Sequence, residues 1–126
     1  MKPFILLFIA AIFLGCSKEK RSERAGEKMQ EFVIAISDYA CGIHPGFIII
    51  PQNGAELAFN YVDPPEGLNS TYLSAIDGVG MEELFYYETL LAEDERLAEL
   101  RQIAATEKVL VADYVTDNAS VPDAVS

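Results

Sequence analysis

The sequence predicts an α/β fold in which about three parallel strands alternate with helices. Short apolar runs rich in β-branched residues or alanine occur at 47–50 and 109–112, and helical periodicity precedes both. Between them, residues 75–79 are a further short strand candidate, interrupted by Gly78. Strands that alternate with helices are joined by right-handed crossovers, which make the strands parallel. The composition agrees with a folded domain, because 51% of the 126 residues are hydrophobic.

The first helix is predicted from apolar residues that recur at intervals of three and four after Gly26. These residues are Met29, Phe32, Val33, Ile36, Tyr39, Ala40 and Ile43. Gly42 and the dipeptide Pro45-Gly46 end the helix. Two residues near this end, Cys41 and His44, are interpreted as a half-buried thiol and a solvated turn residue.

The three strands are predicted to end in polar residues. The first, Phe47–Ile50, stops at Pro51 and is followed by two amides. The second, Ala75–Val79, precedes two glutamates, and the third, Val109–Ala112, runs into an aspartate and a tyrosine. A helix over 90–106 connects the second and third strands, and residues 118–123 are typical of another helix start.

The polar residues after the strands predict a carbohydrate site, because the carboxyl ends of parallel strands meet at one edge of a sheet. Amides bind sugar hydroxyls, aromatic rings cover sugar C–H surfaces, and paired carboxylates supply acid and base. The candidate catalytic residues are Asp77, Glu82 and Glu83. The candidate substrate-binding residues are Gln52, Asn53, Tyr86, Asp113 and Tyr114, with Tyr87 as a further aromatic neighbour. Turn capping, a helix start and core packing are the structural alternatives for these residues.

The N-terminus predicts a bacterial lipoprotein signal over residues 1–15. Lys2 gives a positive start, Pro3–Leu14 is almost wholly apolar, and Gly15-Cys16 resembles a lipobox in which the cysteine is lipidated. A plain secretory signal with an incidental Cys16 is the alternative. Residues 16–27 are then a polar tether and residues 28–126 the folded domain, attached to the bacterial membrane on its extracytoplasmic side.

The charge of the chain restricts its partners. A net charge of -11 disfavours nucleic acid and suits a cationic substrate, although it also serves solubility. If Cys16 is lipidated, Cys41 has no intrachain disulfide partner. With one histidine and no second ligand at metal-binding spacing, we expect no metal and no cofactor.

Three segments resemble the second half of glycoside hydrolase family 114, the TIM-barrel proteins related to endo-α-1,4-polygalactosaminidase. They are IIIPQNGAEL at 48–57, IDGVGMEELFY at 76–86 and KVLVADYVTD at 108–117, and the helix MQEFVIAISDYA at 29–40 fits the same order. The resemblance covers residues 28–126. It implies a partial (β/α)8 TIM barrel, secretion, and hydrolysis of a glycosidic bond in a cationic galactosamine polymer.

The same resemblance implies that the domain is incomplete. The family's earlier half, with a catalytic aspartate in a Gly-Phe-Asp-Gly-Val-type segment, has no counterpart here. The chain would then be a truncated or rearranged gene product, or a half-barrel that a second chain completes. A family glutamate is expected where Gln52 or Asn53 stands, and an amide cannot transfer protons. Either another carboxylate acts in catalysis, or the chain is a non-catalytic lipoprotein that binds carbohydrate or protein.

Overall fold

A computed structural model describes residues 3–90 and 95–124 of the chain. Within these residues the helices and strands follow in the order α1 (Pro3–Ile43), three short 3₁₀ helices (Ala55–Ala58, Asn60–Val62 and Pro64–Glu66), α2 (Ser70–Leu73), β1 (Val79–Leu90), α3 (Glu95–Ile103), β2 (Val109–Val115) and α4 (Val121–Ala124). Strands β1 and β2 form a two-stranded parallel sheet in which Val79 pairs with Val109 and Glu82 with Ala112.

The predicted fold class is wrong. A partial (β/α)8 barrel with about three strands requires a sheet of at least that width, whereas the described residues contain a sheet of two strands. The predicted first strand, Phe47–Ile50, is not a strand of this sheet. One isolated parallel bridge, between Gln52 and Gly80, joins this segment to β1. On either side of the bridge, side-chain oxygens accept hydrogen bonds that backbone carbonyls would accept in a longer ladder.

The boundaries of the other elements also differ from their predictions. The second strand begins where its predicted range ends and continues to Leu90, so Glu82 and Glu83 lie inside β1 rather than after it. Strand β2 begins at Val109 as predicted and extends to Val115. Helix α3 is shorter than predicted, and residues 91–94 of its predicted range lie outside the described residues.

Helix α1 runs through the predicted boundary between leader, tether and domain. It includes Cys16 and ends at Ile43, where the glycine and proline signals predicted the end of a helix. Residues 1 and 2, which contain the predicted positive start, lie outside the described residues. Among the described helices, none has a stretch long and apolar enough to cross a membrane.

The hydrophobic core lies between α1, the 3₁₀ helices, α2, β1 and α3. Its fully buried side chains are Phe59, Tyr72 and Ile103, and Val79 and Met81 of β1 pack into the same cluster. Burial raises the pKa of the Tyr72 hydroxyl, because the surrounding core disfavours the phenolate. The amino half of β1 is therefore fixed by apolar packing.

A buried amide joins α1 to this core. The side chain of Gln30 is 6% exposed, and its Nε2 donates to the backbone carbonyl oxygens of Leu57 and Phe59, both at 2.8 Å. These bonds satisfy two carbonyls at the end of the first 3₁₀ helix, so the polar side chain is buried without an unpaired group. The helix therefore has a defined inner face, on which Val33 and Ile34 pack against the core.

Candidate functional site

The two amides after the first apolar run explain how this segment is attached to β1. The backbone N–H of Gly80 donates to Pro51 O at 2.9 Å, and the backbone N–H of Asn53 donates to Gly80 O at 2.7 Å. One step further, the side-chain Oδ1 of Asn53 accepts from Glu82 N at 3.2 Å. The side chain of Asn53 thus accepts the hydrogen bond that the next backbone carbonyl would accept in a parallel ladder. Its φ of 59° turns the main chain away at that point.

Gln52 covers the backbone of β1 at Gly80. A Cβ at position 80 would collide with Oε1 of Gln52, and its next contact would be Gln52 Cδ at 3.2 Å. The side chain of Gln52 therefore fills the space that any residue larger than glycine at position 80 would need. Gln52 is exposed on its other side, so it both packs on β1 and borders solvent.

Asp77 lies at the amino end of β1, away from the other candidate residues. Its Oδ2 accepts from Ile49 N at 2.8 Å, while its own backbone N–H donates to Ile49 O at 2.8 Å. This reciprocal pair anchors the first apolar run to the start of β1. Asp77 precedes Glu82 by five positions, which corresponds to about 16 Å of extended chain. The structure therefore does not bring Asp77 together with the two glutamates.

A bulge interrupts β1 immediately after Glu82. Glu82 pairs with Ala112 and Tyr87 with Tyr114, so residues 83–86 lie opposite Asp113 alone. Glu83 has a φ of 53°, a left-handed conformation that is uncommon for a residue with a side chain. Bulges of this kind change the direction of side chains and are frequent beside functional sites.

The carboxylate of Asp113 holds this bulge. Its Oδ1 accepts from Leu84 N at 2.7 Å, and its Oδ2 accepts from Phe85 N at 3.1 Å. Two consecutive amides that have lost their partners in the ladder are thereby satisfied by one charged side chain. Asp113 was predicted to bind substrate, and the structure gives it a role in holding the backbone that carries Glu83.

Helix α3 supports the other side of the bulge. Nη2 of Arg96 donates to the carbonyl oxygen of Glu83 at 2.9 Å. Arg96 was not among the residues identified from the sequence, because an arginine near a helix start carries no signal of its own. Arg96 lies beside the glutamates because α3 packs next to β1 in the folded chain.

These contacts enclose a cleft of about 290 Å³ beside the bulge of β1. Three glutamates and one arginine provide its charged groups, and both sequence-predicted glutamates of β1 are among them. Its lining residues are Asn53, Gly54, Ala55, Glu56, Met81, Glu82, Glu83 and Arg96. Glu56 was also missed by sequence reasoning, although it lies within the segment 48–57 that carries the family resemblance.

The predicted aromatic residues are divided between core and surface. Tyr86 is 5% exposed, whereas Tyr114 on β2 is 52% exposed. The side chain of Tyr87 lies outside the described part of the structure. Neither Tyr86 nor Tyr114 lines the cleft, so these two described tyrosines do not form the predicted aromatic cover over a sugar there.

Other groups with possible chemistry lie apart from the cleft. Cys41 is half-buried on α1, and its Sγ lies 3.6 Å from Phe47 O. A second cleft of about 240 Å³ lies between α1 and the second 3₁₀ helix and is lined by Ser22, Glu23, Tyr61, Val62 and Asp63. In the described residues, no group of three or more histidine, cysteine, aspartate or glutamate side chains is arranged to hold a metal ion.

Comparison with known proteins gives a distant relative. A Thermotoga maritima protein described as uncharacterized is 33% identical over an alignment of 100 residues. The alignment covers 75% of this chain and 29% of that protein. The chain therefore spans less than a third of the length of this relative. No family model matches the chain, and no solved structure matches it.

Proposed function

We propose that this chain is a lipid-anchored, extracytoplasmic part of a polysaccharide-processing protein, and that its cleft binds a cationic galactosamine polymer. The observation that carries the proposal is the acidic cleft lined by Glu56, Glu82 and Glu83. Ammonium groups of a deacetylated aminosugar complement these carboxylates, and the amide of Asn53 lies at the same rim. The family resemblance of residues 28–126 supports the same substrate class.

Binding is favoured over hydrolysis because two of the four candidate aspartates and glutamates are used by the backbone. Asp77 accepts from Ile49 N, and Asp113 accepts from Leu84 N and Phe85 N. A general acid must instead exchange its proton with the glycosidic oxygen, and its partner must reach the anomeric carbon or a water. Glu82 and Glu83 remain, and they line the cleft together with Glu56 and Arg96. We therefore propose that the cleft acts as a binding site for the polymer.

The proposed membrane attachment is supported by the leader. The apolar stretch of residues 3–14 ends at Gly15-Cys16, where a lipoprotein would be acylated. Anchoring would keep the cleft at the cell surface, where extracellular polysaccharide is encountered.

The proposal is tested with membrane vesicles prepared from bacteria that express the full chain. Fluorescent, partly deacetylated galactosamine polymer is expected to bind these vesicles more tightly than its fully N-acetylated form, which carries no charge. Combined substitution Glu82→Gln and Glu83→Gln is expected to weaken binding on the order of 10-fold, because two charge pairs across a desolvated contact are lost. Glu31→Gln, on the exposed polar side of α1, is the matched control and should bind like wild type.

Further arms separate the parts of the proposal. Cys16→Ser should release the chain from the vesicles into solution without weakening its affinity for the polymer. Equal binding of charged and N-acetylated polymer would contradict the cationic substrate class. Release of new reducing ends by the wild-type chain, lost in Glu83→Gln, would show that the chain hydrolyses the polymer and would overturn the binding-only assignment.

A further inference from the structure

The outer side of α1 carries a continuous apolar stripe that the domain does not cover. Its members are Met29, Phe32, Ile36, Tyr39 and Ile43, which are called the outer stripe below, and all five are exposed. With Phe32 60% and Tyr39 74% exposed, the stripe offers on the order of 500 Å² of surface, comparable to the ~300–600 Å² of the largest patches on ordinary monomers. This surface is distinct from the inner face on which Gln30 and Ile34 contact the core.

The spacing of the outer stripe fits a second helix. Its members follow one another at intervals of three, four, three and four residues. This is the a/d pattern of a heptad repeat, which keeps one apolar seam directed at a partner helix. The inner face packs against the core, whereas the outer stripe has no apolar partner among the described residues.

The positions that flank the seam favour a second copy of this chain as the partner. In heptad terms the e and g positions are Gly26, Lys28, Val33, Ala35, Ala40 and Gly42. Gly26 and Val33 face Val62 and the core of the same chain, which leaves Lys28, Ala35, Ala40 and Gly42 beside the seam. None is acidic, although the chain has a net charge of -11. Two copies therefore meet along this seam without opposing carboxylates, and the small residues allow the helices to approach closely.

The charges beside the outer stripe disfavour a membrane as the occupant. Over residues 27–43 the helix carries Glu27, Glu31 and Asp38 with one basic residue, Lys28, whereas helices that lie on bacterial membranes carry an excess of lysine and arginine to attract anionic lipid.

We propose that α1 mediates self-association, in which the outer stripe of one chain packs against the outer stripe of a second copy. Such a pair would bury on the order of 1,000 Å² in total, which lies at the lower limit of specific interfaces and predicts a reversible dimer. The proposal is independent of the proposed sugar binding, because the outer stripe and the cleft share no residue.

The test is sedimentation equilibrium of the full chain in density-matched non-ionic detergent, over a range of chain concentrations. The wild type is expected to reach two copies per particle. Phe32→Glu combined with Tyr39→Glu places charges in the seam and should weaken the dimer on the order of 100-fold. The matched control Glu31→Ala with Asp38→Ala changes exposed residues on the opposite side of α1 and should remain a dimer. Circular dichroism checks that all three proteins keep the same helix content.

Three results would overturn the proposal. The wild type could sediment as a single copy at every concentration. The stripe variant could remain dimeric, which would assign association to another surface such as the edge of β2. Alternatively, a single-copy wild type could bind anionic vesicles in a manner that depends on Phe32 and Tyr39, which would make lipid the occupant of the stripe.

Discussion

Two aspartates hold β1 at different positions along the strand, with different consequences. At the amino end, Asp77 binds one exposed amide, that of Ile49, and the following residues Val79 and Met81 are buried in the core. At the bulge in the middle of the strand, Asp113 binds the consecutive amides of Leu84 and Phe85. The first aspartate extends regular structure, whereas the second stabilises a departure from it.

This difference shows how a cleft is formed at the bulge and not at the amino end of the strand. At the amino end, the backbone continues in register with β2 from Val79 onward, and its apolar side chains pack inward. At the bulge, Glu83 adopts a left-handed conformation, and Arg96 holds its carbonyl oxygen. Local strain is maintained where the surrounding structure fixes it, and such positions are common at binding sites.

The largest expected effect is that of Asp113→Ala. It leaves two amides of the bulge without a charged acceptor and should lower the free energy of unfolding by about 3 kcal/mol. The same substitution at the amino end of β1, Asp77→Ala, should cost about 1 kcal/mol, because water can replace the single exposed bond to Ile49. Urea unfolding of the full chain in detergent measures both values. Equal losses would show that Asp113 stabilises the bulge no more than Asp77 stabilises the amino end.

An opposite change in stability is expected from Glu83→Gly. Glycine adopts a φ of 53° without the steric cost that a side chain incurs, so the free energy of unfolding should rise by roughly 1 kcal/mol. The substitution also removes a carboxylate from the cleft and should weaken binding of the cationic polymer. Urea unfolding and vesicle binding are measured on the same preparation.

The neighbouring glutamate provides the control for this prediction. Glu82 lies in regular register opposite Ala112, so Glu82→Gly should lower stability by about 1 kcal/mol. If both glycine variants were destabilised to the same extent, Glu83 would not be strained, and strain would not distinguish the bulge from the regular part of β1.

Part of the fold could be predicted from local residue patterns. Gly42 and Pro45 located the end of α1, and the run Val109–Ala112 located the start of β2, because both depend on neighbours in sequence. The fold class could not be predicted in this way. The run Phe47–Ile50 has the composition of a buried strand, but Asp77 and Asn53 provide side-chain partners for its attachment to β1, and Phe47 and Ile48 remain exposed.

The candidate site shows the same limit. The expectation that polar residues after parallel strands gather at one edge identified Asn53, Glu82 and Glu83, which line one cleft. It did not separate Asp113, whose carboxylate faces the backbone, from the residues that face the cleft. Arg96 and Glu56 were missed because their positions depend on how α3 and the first 3₁₀ helix return to β1, which residue spacing does not encode.

The smallest effect tests the core that supports the amino end of β1. Burial raises the pKa of Tyr72 above its ordinary value near 10, so the folded state holds this proton more tightly than the unfolded state does. The contribution of the protonated hydroxyl is therefore complete below about pH 10 and is lost as the pH rises through the folded-state pKa. Tyr72→Phe should change the free energy of unfolding by less than about 1 kcal/mol at pH 7. As the pH is raised, this variant should become more stable relative to the wild type.

Urea midpoints between pH 7 and 11 measure this difference. The control Tyr61→Phe, at an exposed tyrosine, should parallel the wild type. A constant difference in urea midpoint between Tyr72→Phe and wild type across this range would show that the Tyr72 hydroxyl reaches solvent. The core that packs against β1 would then be more accessible to water than its packing indicates.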